Sequence, residues 1–426
     1  MKYRIANLLN RITTNRIEQH NMVTIIGRDS FSVVSGTMMS SSLIQAFVIR
    51  QGMTNIQLGI MNSASNIVPM LATFMLMGVA DRIKRNNLVA TDRKMVLATA
   101  ILPVTLITVS LLTRVMTINI LFIAIFSSLV LVGLVNSLRP IPHAKIVRNL
   151  YVSNIYGSVS GLSGMICHAA SIIAGYFAKY LLVRYEGPPG YTLIFSFSLL
   201  TLVISALFTG RLKLAKPEDE QKASTVRFPL YYFVQAFKDK YMLSMSVLHI
   251  IRGIYSAILF FLLPFGIRHY GLSVESAITI TILASVSGLL GYFLILSLYD
   301  RIGTIRVMAI ATIAFFIAVL GFGLFRTPSA FLFFNMLLSI GITLVGIAVP
   351  LGVLKVTPRA FLGIFTGVRM FIMSLSTAIF STLAGLMIDK VSVLVILSIL
   401  ILLFALQMLF SVFAFAMEGK MESNPA

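Results

Sequence analysis

Apolar residues run along this chain in blocks of about 20, too long for a strand and without the single stripe of a water-facing helix. Gly, Pro or charge closes most blocks, as at Arg184–Gly190 (RYEGPPG) and Arg326–Pro328 (RTP). A helix of about 20 residues is as long as the hydrocarbon layer is thick. The pattern predicts twelve crossings: 29–49, 56–79, 95–113, 118–138, 153–181, 191–210, 241–267, 274–298, 305–325, 329–354, 361–388 and 391–417. The longest connection, 211–240, contains KPEDEQK and divides the spans six and six. Within it FPLYYFVQAFKD (228–239) is aromatic but short, which predicts an interfacial helix. The expected organisation is a cytoplasmic segment 1–28, a six-helix bundle 29–210, the cytoplasmic linker 211–240, a second bundle 241–417 and a tail 418–426.

Composition narrows the class to an all-α integral membrane protein. Of 426 residues 58% are hydrophobic and only 11% charged, against roughly a quarter charged in a soluble protein. Mean hydropathy is +0.94. The single cysteine, Cys167, rules out a disulfide framework and a CxxC metal site, and its place in an apolar stretch makes it a small packing residue. Residues 1–21 carry charge throughout and lack the apolar core of a secretory signal. They read as an amphipathic lead-in.

The net charge of +20 raises the question of nucleic acid, and counting answers it. With the N-terminus inside, 25 Lys and Arg fall in cytoplasmic segments and 7 in outer loops. That bias orients both termini inward and accounts for the charge without nucleic acid.

The two halves echo each other. FVIRQGMTN around Arg50 matches FGIRHYGLS around Arg268. Gly52 and Gly271 are each followed 29 residues later by an acid, Asp81 and Asp300. Gly175 and Gly385 each precede a charged residue by four positions, Lys179 and Asp389. A parallel duplication, with a binding site between halves, is a transporter architecture.

At Gly78–Arg85, GVADRIKR resembles the loop motif of the major facilitator superfamily, and Asp300-Arg301-Ile302-Gly303 is similar to its second-half copy. Two departures concern the latch: Gly78 stands three residues before the acid where four is usual, and Lys84 replaces the second glycine. The resemblance implies twelve helices in two six-helix repeats, alternating access, and a conformational latch. Its residues would be Gly78, Asp81, Arg82 and Arg85, with Asp300, Arg301 and Gly303 as the copy. The bland reading makes them ordinary helix-ending charges. The superfamily's drug–proton antiporters carry a Gly-Pro motif in span five and an Arg within span four, and both are missing here.

Ionisable residues inside spans cost about 3 kcal/mol or more unless paired or hydrated. Arg252 lies within about 3–5 Å of the middle of span seven and Arg369 about 8 Å from that of span eleven. His249 is one turn from Arg252 on the same face, and His168 is central in span five. These four, with Asp29 at the edge of span one, are the candidate substrate-binding or coupling residues. Each has a structural alternative. Arg28 would snorkel to the interface with Asp29 paired locally; the histidines and arginines would satisfy interhelical hydrogen bonds. Ser40–Ser42, Asn62 and Asn66 would line a cavity or tie helices together.

No GxxxxGK[ST] is present, so the expected energy source is a gradient. A central inventory of cations without a deep carboxylate favours an anionic or polar solute. The other readings are a multidrug efflux carrier and, more distantly, an integral-membrane transferase. The outer acids Glu186, Glu275 and Asp389 are widely separated and lack a histidine, which speaks against the transferase. The expected protein is a monomeric, non-enzymatic secondary transporter in the plasma membrane. It needs no cofactor and no metal, and it is coupled to a proton or another ion.

Overall fold

The structure is a computed structural model that describes residues 15–80, 85–113, 115–139, 156–214, 240–356 and 362–416, with isolated positions between 142 and 150. Among these residues every regular element is a helix. In the first half of the sequence they are α1 (Arg16–Met38), α2 (Ser41–Arg50), α3 (Asn55–Ala80), α4 (Arg85–Ala98), α5 (Ile101–Leu112), α6 (Ile118–Leu138), α7 (Tyr156–Arg184) and α8 (Pro188–Thr209). The second half holds α9 (Lys240–Leu259), α10 (Leu262–Tyr270), α11 (Ser276–Leu324), α12 (Pro328–Val356), α13 (Leu362–Lys390) and α14 (Val393–Phe415). Eleven stretches of the described residues are long and apolar enough to cross a membrane. The 26-residue α3 completes twelve. The interfacial helix expected at 228–239 and the tail from 418 lie outside the described residues.

The helix of the first span begins well before its apolar block. Helix α1 starts at Arg16, where the Asn15 side chain accepts the Ile17 N–H at 2.9 Å. One face of its first turns is buried despite its polarity, through Glu18, Asn21 and Thr24. Asn21 is fully enclosed; its amide donates to the Leu150 carbonyl at 2.9 Å and the Lys213 carbonyl at 2.7 Å. Its Oδ1 accepts from the Lys213 N–H at 3.0 Å. Met22 and Ile25 pack beside it with Leu88, Ile146, Leu150 and Leu212.

Two crossings are broken where the apolar pattern is continuous, and one long helix turns a corner between crossings. Span one stops at Met39–Ser40 between α1 and α2, and span seven at Phe260–Phe261 between α9 and α10. Their second pieces end alike, in left-handed glycines: Gly52 at φ 87° after α2 and Gly271 at φ 67° after α10. Arg50 and Arg268 stand in the last turns before them, where a cation suits the helix dipole. The duplication expected from FVIRQGMTN and FGIRHYGLS therefore has a backbone counterpart. The corner is Gly303, at φ 74° and ψ 175°, which separates spans eight and nine inside α11. Only glycine occupies that region at low cost.

The described residues form two compact units. The first joins α1 to the part of the chain from Val68 through α8. Within it α1 packs on α7 and α8 through Thr37–Ser171 at 2.6 Å and Ser35–Ser198 at 2.9 Å. The second unit joins Ser41–Ile67 to the helices from α9 onward. Ser41–Ile67 belongs to the first half of the sequence, yet it clusters with the second. Gln45 donates to the Phe260 carbonyl at 2.7 Å, and Arg50 forms an ion pair with Glu275. Asn62 donates to Ser381 Oγ at 2.7 Å, and Ser63 meets Thr382 Oγ1 at 2.9 Å. Asn62 thus ties helices together, while Asn66 bonds back to the Asn62 carbonyl at 2.7 Å.

Candidate functional site

In the second unit Gly253 decides where two arginines stand, Arg369 buried and Arg252 half-buried. A Cβ on Gly253 would lie 2.6 Å from the Met373 carbonyl and 3.0 Å from the Thr377 backbone nitrogen. Glycine therefore lets α9 and α13 touch through their backbones, and Thr377 Oγ1 donates to the Gly253 carbonyl at 3.2 Å. Arg252 on α9 is carried to within electrostatic reach of Arg369 on α13. His249, 1% exposed, feels both guanidinium groups.

The hydrogen-bond inventory of this cluster is incomplete. Arg369 is 7% exposed, and among the described residues its Nε and Nη1 have no hydrogen-bond partner; neither does Arg252 Nε. The Tyr255 hydroxyl lies beside the Arg252 guanidinium. His249 Nδ1 is 2.8 Å from the Met245 carbonyl. A carbonyl only accepts, so Nδ1 carries the hydrogen and a neutral ring keeps Nε2 as an acceptor. A buried N–H without a partner costs about 1–3 kcal/mol, more when charged. Two like charges held together raise that cost. What the arrangement can do chemically is receive an anion, whose oxygens would fill the open donors and offset the repulsion.

Of the five substrate or coupling candidates, Arg252, His249 and Arg369 come together. His168 on α7 is half-buried in the first unit. Asp29 on α1 is also there, accepting from Arg28 Nε at 2.8 Å and from Ser163 Oγ at 3.0 Å. Arg28 does not snorkel: it is 5% exposed, and its carbonyl accepts from Ser205. Its ion pair with the adjacent Asp29, at 2.6 Å, permits that burial. Of the latch residues, Gly78 is helical in α3. Asp81 and Arg82 lie outside the described residues, as do the side chains of Arg85, Asp300 and Arg301. Gly303 provides the corner after Asp300, fastened by Tyr299 OH and Thr304 Oγ1 at 2.8 Å.

Two things escaped the sequence reading. Tyr255 sits one turn past Arg252, a spacing that was available. A second cluster in the first unit joins Asp92, Arg139 and His143: Arg139 Nε is 2.9 Å and His143 Nδ1 3.6 Å from the Asp92 carboxylate. Arg139 and His143 are four residues apart, but Asp92 comes from α4, and no local spacing announces its contact with them.

The comparisons with known proteins identify the scaffold. The sequence profile of the Major Facilitator Superfamily matches residues 30–379. The chain belongs to the major facilitator superfamily. Its twelve-helix, two-repeat membrane fold is that of this superfamily's transporters. The nucleoside transporter NupG aligns over 94% of this chain and 99% of its own, at 14% identity and TM-score 0.65. A POT family transporter solved with a thioalcohol-conjugated peptide aligns over 94% and 96%, at 16% identity and TM-score 0.66. A D-xylose–proton symporter covers the same shares at 14% identity and TM-score 0.62. No curated protein sequence matches significantly. These likenesses give the superfamily fold, and the cargoes of the three differ.

Proposed function

We propose that this superfamily member is a secondary active transporter of an anionic solute, bound in part by Arg252 and Arg369. The observation that carries the reading is the buried donor set left open on two adjacent arginines. Arginine stays protonated and offers five N–H donors, so its charge cannot be relieved by losing a proton. A cavity open to each side in turn supplies an anion or water as partner. A lipophilic cation, the cargo of a multidrug carrier, would meet two positive charges here. The reading places the carrier in the plasma membrane as a monomer with both termini cytoplasmic, as the Lys and Arg bias favours.

The test is a thermal-shift screen of the purified chain against inorganic phosphate, citrate, sugar phosphates and nucleoside monophosphates, with neutral sugars and cationic dyes as controls. At least one anion should stabilise the protein in a saturable way. Arg252→Lys should weaken its binding in part and Arg252→Gln further, because lysine keeps the charge and loses the planar fork. A folded Arg252→Gln with unchanged affinity would remove Arg252 from the site. Counterflow in proteoliposomes then separates a carrier from a transferase, which would yield product without flux.

A further inference from the structure

The first unit holds a cluster that solute binding does not use. Asp92 on α4 is completely buried. Its Oδ1 accepts from Arg139 Nε at 2.9 Å, and its Oδ2 makes no hydrogen bond among the described residues. His143 Nδ1 lies 3.6 Å from Oδ2. The same nitrogen lies 3.5 Å from Arg28 Nη1 on α1. His143 is 30% exposed, so water reaches the ring but not the carboxylate.

One ring nitrogen cannot serve both neighbours. Toward the Asp92 carboxylate it must carry a hydrogen and donate; toward the Arg28 guanidinium it must be bare and accept. At about 3.5 Å it stands at the outer edge of hydrogen bonding to each. The charged groups around it among the described residues are Asp92 on α4, Arg139 at the end of α6, and Arg28 with its partner Asp29 on α1.

We propose that His143 and Asp92 form a proton-binding site whose occupancy chooses between two attachments of the α1 segment around Arg28. With a proton added, the imidazolium pairs with Asp92, completes the buried carboxylate and repels Arg28. With Nδ1 bare, the ring accepts from Arg28 and draws α1 toward the residues after α6. The proton comes from water at the exposed ring edge and returns there; no bond other than N–H forms or breaks. Such a site would give a carrier its coupling proton away from the solute-binding arginines. It stands independently of the anion proposal, because no residue is shared.

The chain contains no tryptophan, so one introduced indole is a unique reporter. Phe31, on α1 three residues beyond Arg28, stacks on Phe208 of α8 with ring centroids 5.8 Å apart. Phe31→Trp in the otherwise intact chain is scanned from about pH 5 to about pH 8, the range in which imidazole changes charge. Its emission maximum should move by a few nanometres in one sigmoidal step. His143→Gln and Asp92→Asn should each flatten that step. His143→Arg, a permanent cation, should give the acid spectrum at every pH. A step that survives in His143→Gln, or that is absent with native His143, overturns the proposal. Should His143→Gln fail to fold, an Asp92→Asn or His143→Arg variant that keeps the full step overturns it equally.

Discussion

A buried polar side chain earns its place through the groups that it satisfies, and Asn21 and Arg369 stand at opposite ends of that scale. Asn21 satisfies two carbonyls and one N–H while fully buried. Asn21→Ala strands all three and should cost at least about 2 kcal/mol, at about 1–3 for each stranded group. Asn21→Asp keeps the acceptor for the Lys213 N–H but, ionised, sets an acceptor-only oxygen against the two carbonyls, so it should cost at least as much as Asn21→Ala. Thermal unfolding of the purified variants checks the order, and an Asn21→Ala melting point equal to wild type would refute it. Arg369 is the opposite case, a buried cation beside another cation with two N–H groups open. Replacing a poorly satisfied buried charge by an apolar side chain of similar length is often neutral or stabilising. Arg369→Met should therefore melt no lower than wild type without added anion, and should lose the anion-induced shift. A large fall in the unliganded melting point would show that Arg369 is structurally paired.

At the scale of elements, the distance between α9 and α13 is set by what Gly253 lacks. The atoms that an added Cβ would meet include the Met373 carbonyl and the Thr377 nitrogen, which are backbone and cannot swing away. Gly253→Ala should cost about 1–3 kcal/mol by overpacking. It should also weaken anion binding, since Arg252 and Arg369 ride on the two helices. Gly346→Ala on α12 is the control, because nothing stands within 4 Å of its Cβ. If both variants melt alike, the close approach is not what fixes the site. The spans themselves were legible in the sequence, because length and apolarity are local properties. Their breaks were less so. Phe260–Phe261 lies inside an unbroken apolar run, and Met39–Ser40 is marked only by a serine run that also suits a helix interface. The part of α1 before residue 29 was lost to hydropathy for a physical reason. Asn21 and Arg28 are polar but buried among protein groups, and a scale that transfers residues to lipid cannot see those partners. Arg252 and His249 could be paired by helical spacing. Arg369 and the Asp92–His143 contact depend on packing across the chain, which no local pattern records.

At the scale of the whole molecule, the division into two units does not follow the division of the sequence into halves. The segment Ser41–Ile67 is tied into the second unit by Gln45, Arg50, Asn62 and Ser63. Some of these ties respond to acid. Glu275 is held below the usual carboxylate range by its own backbone N–H, by Ser273 and by Arg50. A lowered folded value means that its contribution is present at neutral pH and is lost as pH falls below 4.5 toward that value. Glu275→Gln should remove that acid-side loss from a melting curve taken against pH. Alternating access makes a stronger demand. A segment that belongs by sequence to the first repeat must leave the second when their common face opens. Ser63 and Thr382, whose hydroxyls are 2.9 Å apart, are the place to forbid it. With the one native thiol removed by Cys167→Ser, the pair Ser63→Cys and Thr382→Cys should cross-link on mild oxidation. The cross-linked protein should then lose counterflow of whichever anion the thermal screen identifies, and recover it on reduction. Anion binding from the opposite face should survive, since the lock holds one state without touching Arg252 or Arg369. Undiminished counterflow in a fully cross-linked sample would mean that Ser41–Ile67 stays with the second unit throughout the cycle. The moving boundary would then lie at the break near Ser40 and close to Pro69 inside α3, within the first two spans and not between the repeats.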